Sequence, residues 1–185
     1  MANIYFMSQL PSLDGINENV ALPITEERFL ELCQSFLGKK AQHEISKLTI
    51  APPREYEEST SDLIEAWNKG ERELRFALAK ARAEKMKKTF DAENKNFPVE
   101  LMKVARTAVE MESPMEAEKF LNRYRLELLE TLRPMDSFCE DAVFYYGLKL
   151  KLLSRMKQFN AEIGETAYKN IYNSIMNGDR LEAIQ

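Results

Sequence analysis

The chain has 185 residues, 44% of them hydrophobic and 30% charged, with a formal net charge of -4. That balance excludes a disordered chain and speaks against a nucleic-acid protein, whose affinity usually rests on excess lysine and arginine. No apolar run approaches the roughly 20 residues of a membrane span, and Ile4-Tyr5-Phe6-Met7 is too short for a signal-peptide core, so a soluble cytoplasmic protein is expected.

Residues 3–10, NIYFMSQL, combine residues that suit a half-buried pleated surface and predict a short strand or extended arm. Leu13-Asp14-Gly15 reads as a turn. Thr25 is an N-cap candidate for the helix EERFLELCQSFL, and Glu26 and Glu27 suit the positive end of its dipole. Phe29, Leu32, Cys33 and Phe36 form an apolar stripe, and Gly38 is expected to end the helix. A weaker helix is predicted over Lys40–Leu48, followed by a linker, IAPPREYEEST, at 50–60.

A long helix is predicted from Ser61 to at least Lys88, spanning about 40 Å. Leu63, Trp67, Leu74, Leu78 and Ala81 mark one face, and Phe76, Ala79, Ala83, Met86 and Phe90 a second. Two stripes predict a central spine packed on both sides. Gly70 costs about 1 kcal/mol relative to alanine in mid-helix, which points either to a closely approaching neighbour or to a bend.

Asp91–Asn96 reads as a polar break, and Pro98 opens a helix through Met111. Ser113 to Glu116 is a capping box with proline at the first helical position. The helix it opens is expected to bury Ala117, Leu121, Tyr124, Leu128 and Leu132 and to stop at Pro134. Ser137 to Glu140 reads as a second capping box. Its helix is expected to bury Ala142, Tyr145, Leu152, Met156 and Phe159 on one side and Val143, Tyr146, Leu150 and Leu153 on the other. Gly164 breaks the pattern. A last short helix carries Ala167, Ile171, Ile175 and Met176 and ends at Asn177-Gly178.

The expected fold is therefore all-α: an elongated bundle of five to seven helices with a short extended N-terminal arm. Its expected parts are the arm and small helices at 1–50, a linker at 51–60, and a long-helix bundle at 61–185, packed as one structural unit.

Chemical motifs are sparse. His43 is the only histidine, whereas a histidine-based triad needs a histidine base and zinc sites need several Cys or His ligands. The chain has no Gly-rich phosphate loop and no Glu-x-x-His pair. No catalytic, cofactor-binding or metal-binding residue is assigned, no cofactor is expected, and a non-enzyme is expected. Cys33 and Cys139 read as buried reduced thiols on apolar helix faces, and Trp67 as core. Glu127 with Glu130, or Glu71 with Glu73, are the pairs able to approach one another, although Glu-rich helix faces are ordinarily solvated. Charge concentrates between Lys69 and Lys88. Two interpretations stand: a solvated face with ion pairs such as Glu84 to Lys88, or a docking surface for an acidic partner. Arg72, Arg75, Arg82 and Lys85 are the candidate partner-binding residues.

SPMEAEKFLNRYRLELLETL (113–132) resembles a helix of the C-type stalk proteins of V/A-type ATPases, known as d-type in eukaryotes, with Asn122 where that pattern often has aspartate. ELRFALAKARAEKM (73–86) resembles a second helix of the family, with Glu73 in place of asparagine. NIYFMSQLPSL (3–13), ITEERFLELC (24–33) and the Trp67-x-x-x-Glu71-x-x-Leu74-Arg75 spacing are similar to a short bacterial family of unknown function. That family looks like an abbreviated C-type stalk protein and tends to be encoded among V/A-type ATPase genes. The resemblance implies an all-α, non-catalytic subunit that joins the central stalk to the membrane proteolipid ring of a proton- or sodium-translocating ATPase and carries torque by rigid contact. Its implied partners are central stalk subunits and the proteolipid ring, at the cytoplasmic face of the membrane, with no nucleic acid and no membrane span of its own.

Overall fold

The computed structural model describes residues 2–16, 20–52, 59–90, 97–158 and 161–182; for 2, 3, 161–164, 167 and 177–182 it describes the backbone alone. Among the described residues there are eight helices and no strand. They are α1 (Ala2–Gln9), α2 (Glu26–Phe36), α3 (Lys39–Lys47), α4 (Asp62–Lys85), α5 (Val99–Glu110), α6 (Pro114–Thr131), α7 (Glu140–Gln158) and α8 (Ala161–Glu182). The chain is all-α.

Local capping sets several helix starts. Thr25 accepts from the Arg28 amide at 3.2 Å, Ser61 from the Ile64 amide at 3.2 Å, and Ser113 from the Glu116 amide at 3.3 Å. The expected box at Ser137 does not form. Asp136 accepts from the Phe138 amide at 2.9 Å instead, and α7 begins at Glu140. An aspartate that bonds its own backbone two residues on competes directly with a serine cap next to it.

Helix ends depart further from expectation. Gly38 does not end α2: Leu37 is its C-cap, and Gly38 is the N-cap of α3. The Gln42 side-chain amide closes this junction by donating to the Gln34 and Leu37 carbonyls at 3.0 and 2.8 Å. α4 stops at Lys85 rather than Lys88. Lys87 adopts φ 53° there, its amide bonds the Glu84 carbonyl at 3.1 Å, and the Lys88 amide bonds the Ala83 carbonyl at 2.9 Å. These two bonds are a Schellman closure with lysine in the left-handed position. Lys88 thus lies beyond the helix, and Glu84 pairs with Arg106 at 3.2 Å instead of with Lys88.

The N-terminal segment is a helix, not a strand or extended arm. Phe6 is 0% exposed, its ring 6.4 Å from Phe29 and 6.0 Å from Phe36. Tertiary burial of one aromatic ring outweighs the β preference of its neighbours. Phe6 belongs to the main core, built from α1, α2, α3, the first half of α4, the end of α6, and α7. α7 is its inner helix, with every residue from Ala142 to Leu150 buried, the pattern of a helix surrounded on all sides.

A second core joins the last half of α4 to α5 and α6: Leu74, Ala77, Leu78 and Ala81 meet Leu101, Ala105, Ala108 and Leu121. α4 runs through both cores. Its predicted first face is buried throughout. The predicted second stripe is not: Phe76 is 39% and Met86 59% exposed, and only Ala83 of that set is buried. Ile64, Glu71 and Ala77 are buried instead, flanking the first face. Gly70 marks an approach rather than a bend, because a β-carbon there would lie 2.9 Å from Leu128 Cδ2 of α6. α6 buries Leu121, Asn122, Arg125 and Leu129, leaving Ala117, Tyr124, Leu128 and Leu132 only half-buried.

α8 runs unbroken through Gly164 and past Asn177-Gly178, so neither the expected break nor the expected cap occurs. Its apolar side chains Tyr168, Ile171, Tyr172, Ile175 and Met176 are exposed. Cys33 is buried, and burial pushes its thiol up to about 12, whereas Cys139 is half-buried just ahead of α7. No helix among the described residues is long and apolar enough to cross a membrane. Phe159, Asp91–Asn96 and positions 53–58 of the expected linker lie outside the described residues.

Candidate functional site

The buried charges join helices to one another. Glu71 of α4 and Arg125 of α6 form a two-pronged pair, with Arg125 Nε donating to Oε2 and Nη2 to Oε1, both at 3.0 Å. Their side chains are 1% and 9% exposed. Arg125 Nη1 also donates to Asn122 Oδ1 at 3.0 Å and to Glu118 at 3.2 Å. Glu118 accepts from Arg155 of α7 at 2.8 Å. One chain of ion pairs therefore ties α4 to α6 and α6 to α7. Burial alone would lower the Arg125 pKa, but Glu71 and Glu118 together hold it above its ordinary value.

A second cluster centres on Lys149 of α7. Its ammonium donates to Asp14 at 2.9 Å and to Glu130 at 2.6 Å, and Tyr145 Oη lies at 3.4 Å. Arg133 stands 3.6 Å from Asp14. Lys149, Asp14, Tyr145 and Arg133 line a cleft of about 160 Å³ with Met7, Leu10 and Tyr146. Burial opposes the charge on Lys149, but the hydrogen bonds it donates to Glu130 and Asp14 leave its pKa raised. The Lys149 hydrogen bond and charge hold Asp14 below its ordinary range. Glu130 is likewise lowered, because Lys149 and Tyr145 outweigh its burial. Burial and the Glu130 carboxylate push the Tyr145 phenol up to about 12.

The four cations marked from the sequence separate. Arg75 is drawn into the interior network, its Nε 3.4 Å from Glu71 Oε1 with its side chain 47% exposed. Arg72 is half-buried on α4. Arg82 and Lys85 are exposed and come together on the wall of a groove between α4, α5 and α6. The groove encloses about 460 Å³, with Leu78, Ala108 and Leu121 at its floor and Met86, Val109, Met111 and Ala117 around it. Of the carboxylates considered for a dyad, Glu71 faces Arg125 and Glu130 faces Lys149, so each meets a cation rather than a second acid. His43 is exposed. Among the described residues no group of three or more His, Cys, Asp or Glu side chains is placed to hold a metal.

Sequence reasoning passed over Arg125, Glu118, Lys149 and Asp14. A signal existed for two of them. Arg125 sits one turn from Leu121 and Leu129 on a buried stripe, and Lys149 interrupts the apolar run from Ala142 to Leu153. A lone cation on an apolar face implies a buried counter-charge, because desolvating it unpaired costs several kcal/mol. No protein-family model, no curated protein and no solved structure matches this chain.

Proposed function

We propose that the chain is a non-catalytic interaction subunit that couples or assembles a V/A-type ATPase. It would join central stalk subunits to the membrane ring in the manner of the C-type stalk proteins. The observation that carries the interaction role is the division of charge. Glu71, Arg125 and Lys149, the buried charged residues among those described, are all engaged across helices, while Arg82 and Lys85 stand at an open apolar groove. Acid–base chemistry needs an ionisable group free to face a substrate, and each of these groups is paired with a counter-charge of the protein itself. Ion pairs that link α4, α6 and α7 also oppose sliding of one helix past another, which suits a part that transmits force by contact. The ATPase itself comes from the resemblance of 113–132 and 73–86 to the C-type stalk family.

A tagged pull-down from detergent-solubilised native membranes, read by mass spectrometry, tests the proposal. Recovery of stalk and proteolipid subunits is the expected result. A folded, abundant tagged protein that recovers none of them overturns the ATPase assignment and leaves a stand-alone helical adaptor.

A further inference from the structure

We infer that the groove between α4, α5 and α6 binds an acidic amphipathic helix of a partner protein. An aliphatic ridge would seat on Leu78, Ala108 and Leu121, with carboxylates against Arg82 and Lys85. This rests on the interaction-subunit proposal and names the chemistry of its partner.

The floor is apolar and set back between three helices, a concave shape that takes the ridge of a helix and not a flat bilayer. Met86 and Met111 stand at its edge, and unbranched thioethers adapt to an incoming side chain.

Charge selects the partner. The charged residues lining the groove are Arg82, Lys85 and Glu118. Glu118 is already engaged by Arg125 at 3.2 Å and Arg155 at 2.8 Å, so it presents little free negative charge. The neighbouring Glu84 is held by Arg106. Lys85 Nζ donates to the Val109 carbonyl, which fixes its position without neutralising it. Among the described residues no carboxylate pairs with Arg82, Lys85, Lys87 or Lys88. The Schellman closure after Lys85 turns the chain there and keeps Lys87 and Lys88 exposed. Cations at a helix C-terminus also complement its dipole, but that requirement places no apolar floor beside them.

The probe is a fluorescein-labelled amphipathic peptide, with leucines at i, i+3, i+4 and i+7 and glutamates on both flanks, titrated with the full chain by anisotropy. Saturable binding is expected, and loss of about tenfold or more in affinity in Arg82→Glu/Lys85→Glu and in Ala117→Trp, which fills the groove. Met111→Trp replaces Ala117→Trp if that variant does not keep its melting temperature. Lys39→Glu/Lys40→Glu, equal in charge change and remote in sequence on α3, should bind as the unaltered chain does. A lysine-flanked version of the peptide should not bind. The inference is overturned by absence of binding, by equal binding of the lysine-flanked peptide, or by undiminished binding in the groove variants. It is also overturned if phosphatidylserine vesicles sediment the chain and displace the peptide, which would make the face a membrane contact. The two proposals fail separately. A groove that binds the peptide in a chain that recovers no ATPase component removes only the ATPase assignment. Stalk recovery undiminished by the groove variants removes only the groove.

Discussion

Glu71 and Arg125 show what a buried charge does in this molecule. The pair lies in the interface of α4 and α6, and each carboxylate oxygen of Glu71 accepts from a different guanidinium nitrogen. Such a pair adds little net stability over an apolar one, but removing one member strands the other in a low-dielectric interior. Arg125→Met should therefore destabilise the chain by about 3–5 kcal/mol in urea unfolding. Glu71→Leu/Arg125→Met should recover part of that loss, since Arg75 is half-exposed and Glu118 keeps Arg155, while the buried Asn122 Oδ1 still lacks its donor. A single variant that costs under about 1 kcal/mol would mean that water reaches the pair and that it does not fix the α4–α6 register.

Two glycines in helices separate propensity from packing at the level of elements. A β-carbon at Gly70 would meet only the end of the half-buried Leu128 side chain. At Gly147 it would lie 2.8 Å from Leu48 Cδ2 and 3.1 Å from Phe29 Cε1. The Phe29 ring has little room to withdraw, with Phe6 at 6.4 Å and Tyr146 at 5.4 Å. Both substitutions to alanine gain about 1 kcal/mol of helix propensity. Overpacking at Gly147 should exceed this gain and leave Gly147→Ala less stable by about 1–3 kcal/mol, while Gly70→Ala should stay within about 0.5 kcal/mol of the parent. Thermal melts of the two variants decide it. Equal melting temperatures would show that α2 and α3 yield easily where they meet α7.

Across the whole molecule, Lys149 latches the turn after α1 onto α6 and α7, and this latch is pH-dependent. Asp14 and Glu130 are both held below their ordinary pKa. A lowered carboxyl stabilises the fold fully above its unfolded pKa and stops doing so as pH falls through its folded value. Lys149 is raised, so its contribution persists through neutral pH and is lost only on the alkaline side. The stability difference between the parent and Asp14→Asn should be constant from neutrality down to about pH 5 and then vanish as the medium becomes more acid. Urea midpoints at a series of pH values measure it, and a pH-independent difference would show that Asp14 acts through turn geometry and not through Lys149.

Much of the helical outline follows from the sequence because its causes are local. The Thr25 and Ser113 caps lie within one turn of their amides, and the first face of α4 repeats at helical spacing, so both are legible without a neighbour in view. What the local pattern leaves open is which face meets which partner. Phe6 is buried in a helix because Phe29 and Phe36 cover it, and Phe76 is 39% exposed because the neighbouring helices cover the first face of α4 and its flanks instead. The four marked cations look alike in sequence, yet Arg75 turns to Glu71 while Arg82 and Lys85 meet at the groove. The counter-charges that separate them come from residues far along the chain: Arg125 reaches Glu71 from another helix, as Lys149 reaches Asp14. Backbone hydrogen bonds within a turn are set by adjacent residues, whereas burial and ion pairing depend on groups that only folding brings together.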